Sequence, residues 1–226
     1  MIEVERAFAL LQFGDSFFPS GAASFSWGLE TLRADGRLPG AAEVESFIAG
    51  QLRRRWASFD RPAVIAAHRA LGDLDTIAET DRTVDAATLA REAREGGRRI
   101  GGALLKVHAE IATPGAGAYR EKVLAGEAPG QLAAVQGLVG HALGLSEDET
   151  AAMAAYGLAV GIVGAALRVG ALGHVDGQRI LSRQRALVAE LSDAPAGALA
   201  GIQAYTPMAE IAMMRHETGS GRLFAN

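Results

Sequence analysis

The sequence predicts an all-α protein, a single-domain helical bundle of roughly ten helices over residues 1–226. Ala, Leu, Glu and Arg recur at helical spacing along the chain, and the alternating β-branched segments typical of strands are hard to find. A chain of 226 residues can bury roughly 70–75% of its unfolded surface, so it needs no disulfide or metal to fold. The clearest loops, residues 113–118 and 125–130, are too short to be domain linkers.

The predicted helices follow from their apolar spacing and their end signals. Val4, Ala7, Phe8 and Leu11 mark a first amphipathic helix. Asp73 is a candidate N-cap for another helix. The remaining predicted helices cover about residues 25–34, 41–58, 61–71, 85–111, 147–167, 176–194 and 208–217. The 61–71 helix is expected to begin at Asp60 and Pro62 as a separate element, because Pro is favoured in the first turn.

Two of these segments have internal features that need explanation. Four glycines lie within residues 85–111, and each costs about 1 kcal/mol relative to Ala inside a helix, so close packing must compensate for them. The uncharged run 150–167 begins after a Ser146-x-x-Glu149 capping box. It is long enough to raise the question of a membrane span, but Arg168 follows it at once, and we expect a buried central helix and no membrane contact. Gly157 and Gly161 share one face, where another backbone is expected to approach closely.

Composition excludes several classes of function. The net charge of −4 argues against a nucleic-acid partner, since binding to phosphates needs a basic face. There is no Cys, which excludes disulfides and thiolate metal sites and suits a reducing compartment. The first residues are acidic and lack the pattern of a secretory signal, so a cytoplasmic location is expected.

Candidate chemistry is sparse. The five His residues include no His-x-x-x-His pair, so no intrinsic metal centre is predicted. His216 and Glu217 are neighbours on a helix and point about 100° apart, which makes a poor chelate. His216 is expected either to interact with the last helix carbonyls or to contact a partner. No P-loop and no nucleophile elbow occur, so no cofactor is predicted.

The most informative segment is residues 15–30, Asp-Ser-Phe-Phe-Pro-Ser-Gly-Ala-Ala-Ser-Phe-Ser-Trp-Gly-Leu-Glu. Pro19 restrains the backbone, Gly21 frees it, and Ser24 can cap a helix that begins near Phe25. The segment is either an exposed functional loop or a connection whose aromatic side chains fill the core. At the other end, residues 218–226 form a tail in which Leu223 and Phe224 gain roughly 3–5 kcal/mol from burial, on their own domain or on a partner.

The segment 15–30 resembles the N-terminal signature of the UreF family of urease accessory proteins. The matching residues are Asp15, Ser16, Pro19, Gly21, Ser24, Ser26, Gly28, Leu29 and Glu30. Ala23 and Phe25 stand where the family has an aromatic residue and a Tyr. Residues 213–224 resemble the family's ending and match it at His216, Glu217, Thr218, Arg222, Leu223 and Phe224.

A third, weaker resemblance covers residues 168–178, where the agreeing positions are Arg168, Leu172, Gly173, Gly177 and Gln178. Ala171 replaces a Pro of the family pattern, so we expect the preceding helix to continue for about one more turn before Gly173. His174 replaces a Gln.

The resemblance implies an all-helical, dimeric, non-catalytic scaffold. Such proteins work with UreH (UreD) and the GTPase UreG to deliver nickel into apo-urease. We also expect Pro19, Gly21 and an exposed Glu30 to shape and present a functional surface, and we expect Arg222, Leu223 and Phe224 to dock on the UreH-like partner rather than on their own core. The alternative from another class is a small all-α hydrolase or transferase that uses Glu30, His216 and Glu217 as acid-base groups.

Overall fold

A computed structural model of the chain describes residues 3–216 and 223–224, and over these residues the protein is helical with no strand. The all-α prediction is confirmed. The α-helices are α1 (Glu3–Gly14), α2 (Leu29–Ala34), α3 (Ala41–Gln51), α4 (Arg61–Arg69), α5 (Leu74–Ala87), α6 (Arg91–Glu110), α7 (Ala116–Leu124), α8 (Leu132–Ala142), α9 (Glu147–Arg168), α10 (His174–Asp193) and α11 (Pro207–His216). Single 3₁₀ turns occur at Ala22–Ser24 and Leu199–Gly201, and a π-helical stretch covers Leu52–Asp60.

The helices α3 and α4 are joined through the π-helical stretch into one continuous rod. Asp60 has helical dihedral angles, φ −70° and ψ −45°, and its side chain makes no cap hydrogen bond. The predicted separate start at Asp60 and Pro62 is therefore wrong. Pro62 lacks an N–H group, and the wider π-helical turn in front of it accommodates that loss without breaking the rod.

The centre of the bundle is formed by α4, α8 and α9, which pack at very short distances. A Cβ atom added to Gly137 of α8 would lie 2.5 Å from the carbonyl oxygen of Val64 and 2.6 Å from Cβ of Ala67, both on α4. The buried indole of Trp56 donates to the carbonyl oxygen of Ala151 on α9 at 3.2 Å. These contacts fix the π-helical stretch against the central helix.

The central helix α9 is, within the described part of the chain, the one helix that is long and apolar enough to cross a membrane. Of its most apolar window, 61% is buried inside the protein, as a core helix requires. The predicted capping box is confirmed: Ser146 and Glu149 exchange hydrogen bonds of 3.1 and 2.7 Å. The predicted close approach at Gly157 and Gly161 is wrong, since a Cβ on Gly157 would meet no atom within 4 Å.

The helix α9 ends at Arg168, and the expected extra turn is absent. The amide of Gly170 donates to the carbonyl of Leu167, and the amide of Ala171 donates to the carbonyl of Ala166. Gly170 has φ +65°, so these bonds form a Schellman motif. The terminating signal is the glycine, and a Pro at position 171 is not needed to stop the helix.

The predicted helix 85–111 is divided in the structure, since α5 ends at Ala87 and α6 begins at Arg91. Three of the four glycines in α6 have the close packing that we expected to compensate for their cost. Side chains at Gly96, Gly97 and Gly101 would collide with the Phe25 ring, the Gln131 amide and the Gly130 carbonyl, respectively. Gly102 meets nothing within 4 Å.

The predicted helix at the N-terminus is confirmed as α1, but its apolar stripe faces outward. Val4, Ala7, Phe8 and Leu11 are all exposed. The opposite side of the helix, which includes the buried Phe13, packs towards the body of the protein. The helix α1 thus has apolar side chains on both sides, and the predicted stripe is the side that faces the surface.

Candidate functional site

The segment 15–30 begins as a loop, passes through the 3₁₀ turn Ala22–Ser24 and enters α2 only at Leu29. The predicted start near Phe25 is wrong, because Trp27 (φ +56°) and Gly28 (φ +81°) have left-handed backbone conformations that no helix contains. The Ser24 hydroxyl donates to the Gly21 carbonyl at 2.7 Å and does not cap α2. Gly21 itself has φ +72°. Two left-handed residues in succession turn the chain sharply into α2.

Gly28 brings α2 into contact with α11, near the other end of the chain. A Cβ atom at Gly28 would lie 2.8 Å from the carbonyl oxygen of Ala209 and 3.1 Å from Cβ of Ala212. The guanidinium of Arg215 on α11 binds the carboxylate of Asp35, directly after α2, at 2.5 and 3.1 Å. This pairing holds the pKa of Asp35 below its usual value. The segments that carry the two terminal motifs therefore pack side by side.

Glu30 lies at the point where these motifs meet. One of its carboxylate oxygens is 3.0 Å from Nε2 of His216, and its two oxygens accept hydrogen bonds from the backbone amides of Leu223 (2.8 Å) and Phe224 (3.3 Å). The Glu30 side chain is only 15% exposed. The expected exposure of Glu30 is wrong, because both oxygens are occupied by groups of the same chain.

His216 is buried between two carboxylates. Its Nδ1 atom lies 3.3 Å from the nearer oxygen of Glu92, on α6, while Nε2 faces Glu30. A carboxylate only accepts hydrogen bonds, and a neutral imidazole has a single N–H group. The His216 ring thus bridges Glu30 on α2 and Glu92 on α6. The expected interaction of His216 with helix carbonyls is replaced by these side-chain contacts.

Phe224 packs on its own domain, where we expected a side chain that is free of the core. The ring is 6% exposed and belongs to the buried cluster that includes Leu29 and Leu32. The guanidinium of Arg168 lies 4.4 Å from the ring centroid, a cation–π distance. Leu223 points away and is 73% exposed. The side chains of these two adjacent residues thus lie in different environments.

The remaining motif residues lie in three places. Ser26 is buried beneath α2, and its hydroxyl lies 3.4 Å from the Glu30 amide. Ser16 and Pro19 are exposed and line a cavity. Gly173 is the residue before α10, and Gln178 is exposed on that helix. Two further predicted residues, Glu217 and Arg222, and most of the predicted tail 218–226, lie outside the described residues.

The cavity lies between the opening loop and the glycine-bearing face of α9 and has a volume of about 550 Å³. Its walls are mostly apolar. Besides Ser16 and Pro19, its lining includes Phe13, Phe17, Phe18, Trp27, Met153, Gly157, Leu158, Gly161, Gly164 and Arg168. Gly157, Gly161 and Gly164 have no side chains, so the space in front of them stays open. These glycines therefore border the cavity and do not pack against a second backbone.

A charged pair lines the same cavity. Nε of Arg55 lies 3.2 Å from the carboxylate of Asp60, both within the π-helical stretch. The guanidinium carbon of Arg55 is 5.1 Å from the Trp27 ring centroid and 5.4 Å from that of Phe59. Burial raises the pKa of Asp60 although Arg55 opposes this shift. A single wide turn thus holds an ion pair among aromatic rings.

His108 attaches the opening loop to the body of the protein. Its ring lies 5.2 Å from both Phe13 and Phe18, and its Nδ1 is 2.8 Å from the Thr113 hydroxyl. Burial lowers the pKa of His108 to about 4, so the ring is neutral at pH 7. It serves here as an aromatic packing group.

Sequence reasoning missed Glu92, Arg55 and Asp60. Nothing in the local pattern of Glu92 indicates contact with a residue 124 positions away. The ion pair of Arg55 and Asp60 depends on a π-helical turn, for which the local sequence has no signature.

The row formed by Glu30, His216 and Glu92 does not resemble a metal site. Its carboxylates lie against different ring nitrogens, so the three groups do not converge on one point. More generally, no group of three or more His, Cys, Asp or Glu in residues 3–216 and 223–224 is arranged to hold a metal ion.

Fold and site together define a small all-helical protein whose two terminal motifs meet in a mostly buried polar cluster, with an apolar cavity also present. Comparison with known proteins gives the family. The sequence model of the UreF family matches residues 39–185. The chain is 33% identical to the urease accessory protein UreF of Trichodesmium erythraeum (strain IMS101), over 99% of this chain and 98% of the relative.

A second relative gives the same result. The urease accessory protein UreF of Yersinia pseudotuberculosis serotype IB (strain PB1/+) is 31% identical, over 96% of each chain. The chain belongs to the UreF family.

Proposed function

We propose that this protein is a non-catalytic urease accessory factor that works in the cytoplasm with UreH (UreD) and the GTPase UreG during nickel insertion into apo-urease. The observation that carries the proposal is its similarity, over nearly the whole chain, to proteins named as urease accessory protein UreF. The family membership supports the class of process, and the individual partners are part of our proposal.

The surface supports a protein that acts through contacts with other proteins. Val4, Phe8 and Leu11 form an exposed apolar stripe on α1. Met208, Ile211 and Met214 are exposed on α11. Apolar side chains grouped on one helix face in this way are typical of interaction surfaces. Two such faces suit a chain that forms a homodimer and also binds a partner.

Regulation of a GTPase by such a scaffold has a simple physical form. A protein without catalytic groups shifts a two-state switch only by binding one state more tightly than the other. We propose that this chain binds one nucleotide state of UreG preferentially and so couples that state to metal transfer.

The alternative function, a small enzyme, is not favoured. Glu30 and His216 are in contact, as an acid-base pair would be, but both oxygens of Glu30 are occupied by His216 and the amides of residues 223 and 224. A general acid or base needs a free position for its substrate.

The proposal is tested by deleting this gene in its own organism and measuring urease activity and urease nickel content. We expect both to fall and to return when the gene is supplied again. Unchanged activity and nickel content after deletion would refute the proposed function.

The surface is tested by Phe8→Glu, with Gln12→Glu as the matched control at another exposed position of α1. A charge in the apolar stripe opposes its burial, so Phe8→Glu is expected to lower the mass of the isolated protein or its co-purification with UreH and UreG, with the melting temperature unchanged. Equal behaviour of the two variants in both assays would show that the stripe contacts no partner.

A further inference from the structure

We propose that the cavity between the opening loop and α9 binds a neutral, planar aromatic small molecule that carries a carbonyl-type hydrogen-bond acceptor. This inference goes beyond the proposed function, because it concerns a small-molecule ligand and depends on no protein partner. The cavity volume of about 550 Å³ lies in the range of small-molecule sites. Such sites have mostly apolar walls and a few polar groups that orient the ligand.

The wall that α9 contributes is kept bare by three glycines. Among the described residues, a Cβ atom on Gly157 or Gly164 would meet no atom within 4 Å, and one on Gly161 would meet only Nε1 of Trp27, at 3.7 Å. Glycine inside a helix is less stable than alanine, and no packing contact accounts for it at these positions. The glycines are four and three residues apart, so they share one helix face. They leave a strip of backbone against which a planar ring system fits.

Aromatic side chains form much of the remaining wall. Phe13, Phe17, Phe18 and Trp27 all line the cavity. Aromatic rings pack well on one another in stacked or edge-on arrangements. Phe17 is 90% exposed, so a ring that binds beside it removes apolar surface from water. The strip of backbone and these rings together favour a planar aromatic ligand.

The cavity also offers one buried hydrogen-bond donor, on Arg55. This residue is 8% exposed and lines the cavity. Its Nε and Nη2 atoms face the carboxylate of Asp60, at 3.2 and 3.4 Å. Nη1, at the other end of the guanidinium, has no hydrogen-bond partner among the described residues. An acceptor on the ligand therefore gains a charge-assisted hydrogen bond from Nη1.

The charges around the cavity favour a neutral ligand. Asp60 neutralises Arg55, and the exposed residues Asp15 and Arg168 add one charge of each sign. A ligand carboxylate bound to Arg55 would lie near the Asp60 carboxylate in a largely apolar space, where like charges repel strongly. A carbonyl oxygen accepts from Nη1 without adding a charge. We therefore expect an aromatic amide or ketone to bind better than the corresponding acid.

The experiment titrates the ¹⁵N-labelled full-length protein with 2-naphthamide and follows its indole N–H resonances. The chain has two Trp residues. Trp27 lines the cavity, whereas Trp56 is fully buried and donates to the Ala151 carbonyl. We expect a saturable shift of the Trp27 resonance and a much smaller change at Trp56.

Matched ligands and variants test each part of the site. 2-Methylnaphthalene, which lacks the acceptor, and 2-naphthoate, which is charged, should each bind at least tenfold more weakly than 2-naphthamide. Gly157→Leu fills the cavity and should weaken binding of 2-naphthamide at least tenfold. Gly102→Leu is the control, because Gly102 lies on α6 with no described atom within 4 Å of its Cβ position and does not line the cavity. It should bind like the wild type.

Two results would overturn the proposal as a whole. One is the absence of a saturable Trp27 shift up to the solubility limit of 2-naphthamide. The other is equal affinity of the wild type and a Gly157→Leu chain that circular dichroism shows to be folded. Equal affinity for 2-methylnaphthalene would refute the role of Arg55, and equal or higher affinity for 2-naphthoate would refute a neutral ligand. If Gly157→Leu does not fold, Gly164→Leu replaces it.

Discussion

Acid is expected to loosen the N-terminal segment through His108. The ring is buried against Phe13 and Phe18, and burial lowers its pKa to about 4, compared with 6.5 for an unfolded chain. The folded state holds the neutral ring, while the unfolded state takes up a proton. The contribution of His108 to stability is therefore fully present above about pH 6.5 and is lost as the pH falls towards 4.

The size of this effect follows from linkage. With these two pKa values, the free energy of unfolding should fall by about 2 kcal/mol between about pH 7.5 and pH 5 because of His108 alone. Urea unfolding followed by circular dichroism measures this difference. The His108→Leu variant has no titrating group at this position. Its free energy of unfolding should therefore fall by about 2 kcal/mol less than that of the wild type over the same pH interval. The variant is expected to be less stable than the wild type at neutral pH.

Other groups also titrate in this range, and the comparison between variants removes their contribution. His174→Gln, at an exposed position, is the matched control and should show the wild-type pH dependence. Equal pH dependence in the wild-type and His108→Leu chains, or a His108 proton resonance that titrates near the unperturbed value, would refute the reasoning.

Two predictions concern glycines. Gly137→Ala should destabilise the protein by about 1–3 kcal/mol, because its methyl group would overlap α4, whereas Gly102→Ala, with nothing within 4 Å, should stabilise α6 by up to about 1 kcal/mol. Thermal unfolding measures both, and similar shifts would contradict the packing described for α8. Gly21→Val should cost about 1 kcal/mol or more because Gly21 has φ +72°, and Gly21→Asn should cost less, since Asn tolerates this conformation. An equal loss in these two variants would point to a cause other than the backbone.

Local signals predicted much of the fold. The Asp73 cap is confirmed by hydrogen bonds from the amides of Asp75 and Thr76, and the capping box of α9 by both of its bonds. Such signals depend on residues within one turn, which the sequence shows directly. Several errors concerned helix starts and ends. The sequence predicts a helix that begins near Phe25, but the left-handed backbone conformation of Trp27 prevents a helix there.

The candidate site was predictable only in part. The motif residues Glu30, His216 and Phe224 were found through resemblance, and the structure brings them together. Their mutual contact was not predicted, because it joins residues separated by 186 and 194 positions. The outward orientation of the α1 stripe also has no local signal, since the same periodicity describes a helix that faces the core and one that faces a partner.

The contact between Glu30 and Leu223 spans 193 positions, and this separation has a consequence for synthesis. Glu30 leaves the ribosome 193 residues before its hydrogen-bond donor Leu223. At about 5–20 residues per second, the carboxylate waits roughly 10–40 s for them. A chain that terminates early therefore leaves Glu30 without its tail partners and the Phe224 site open. Until residue 224 has been translated, the motif that contains Glu30 lacks these contacts.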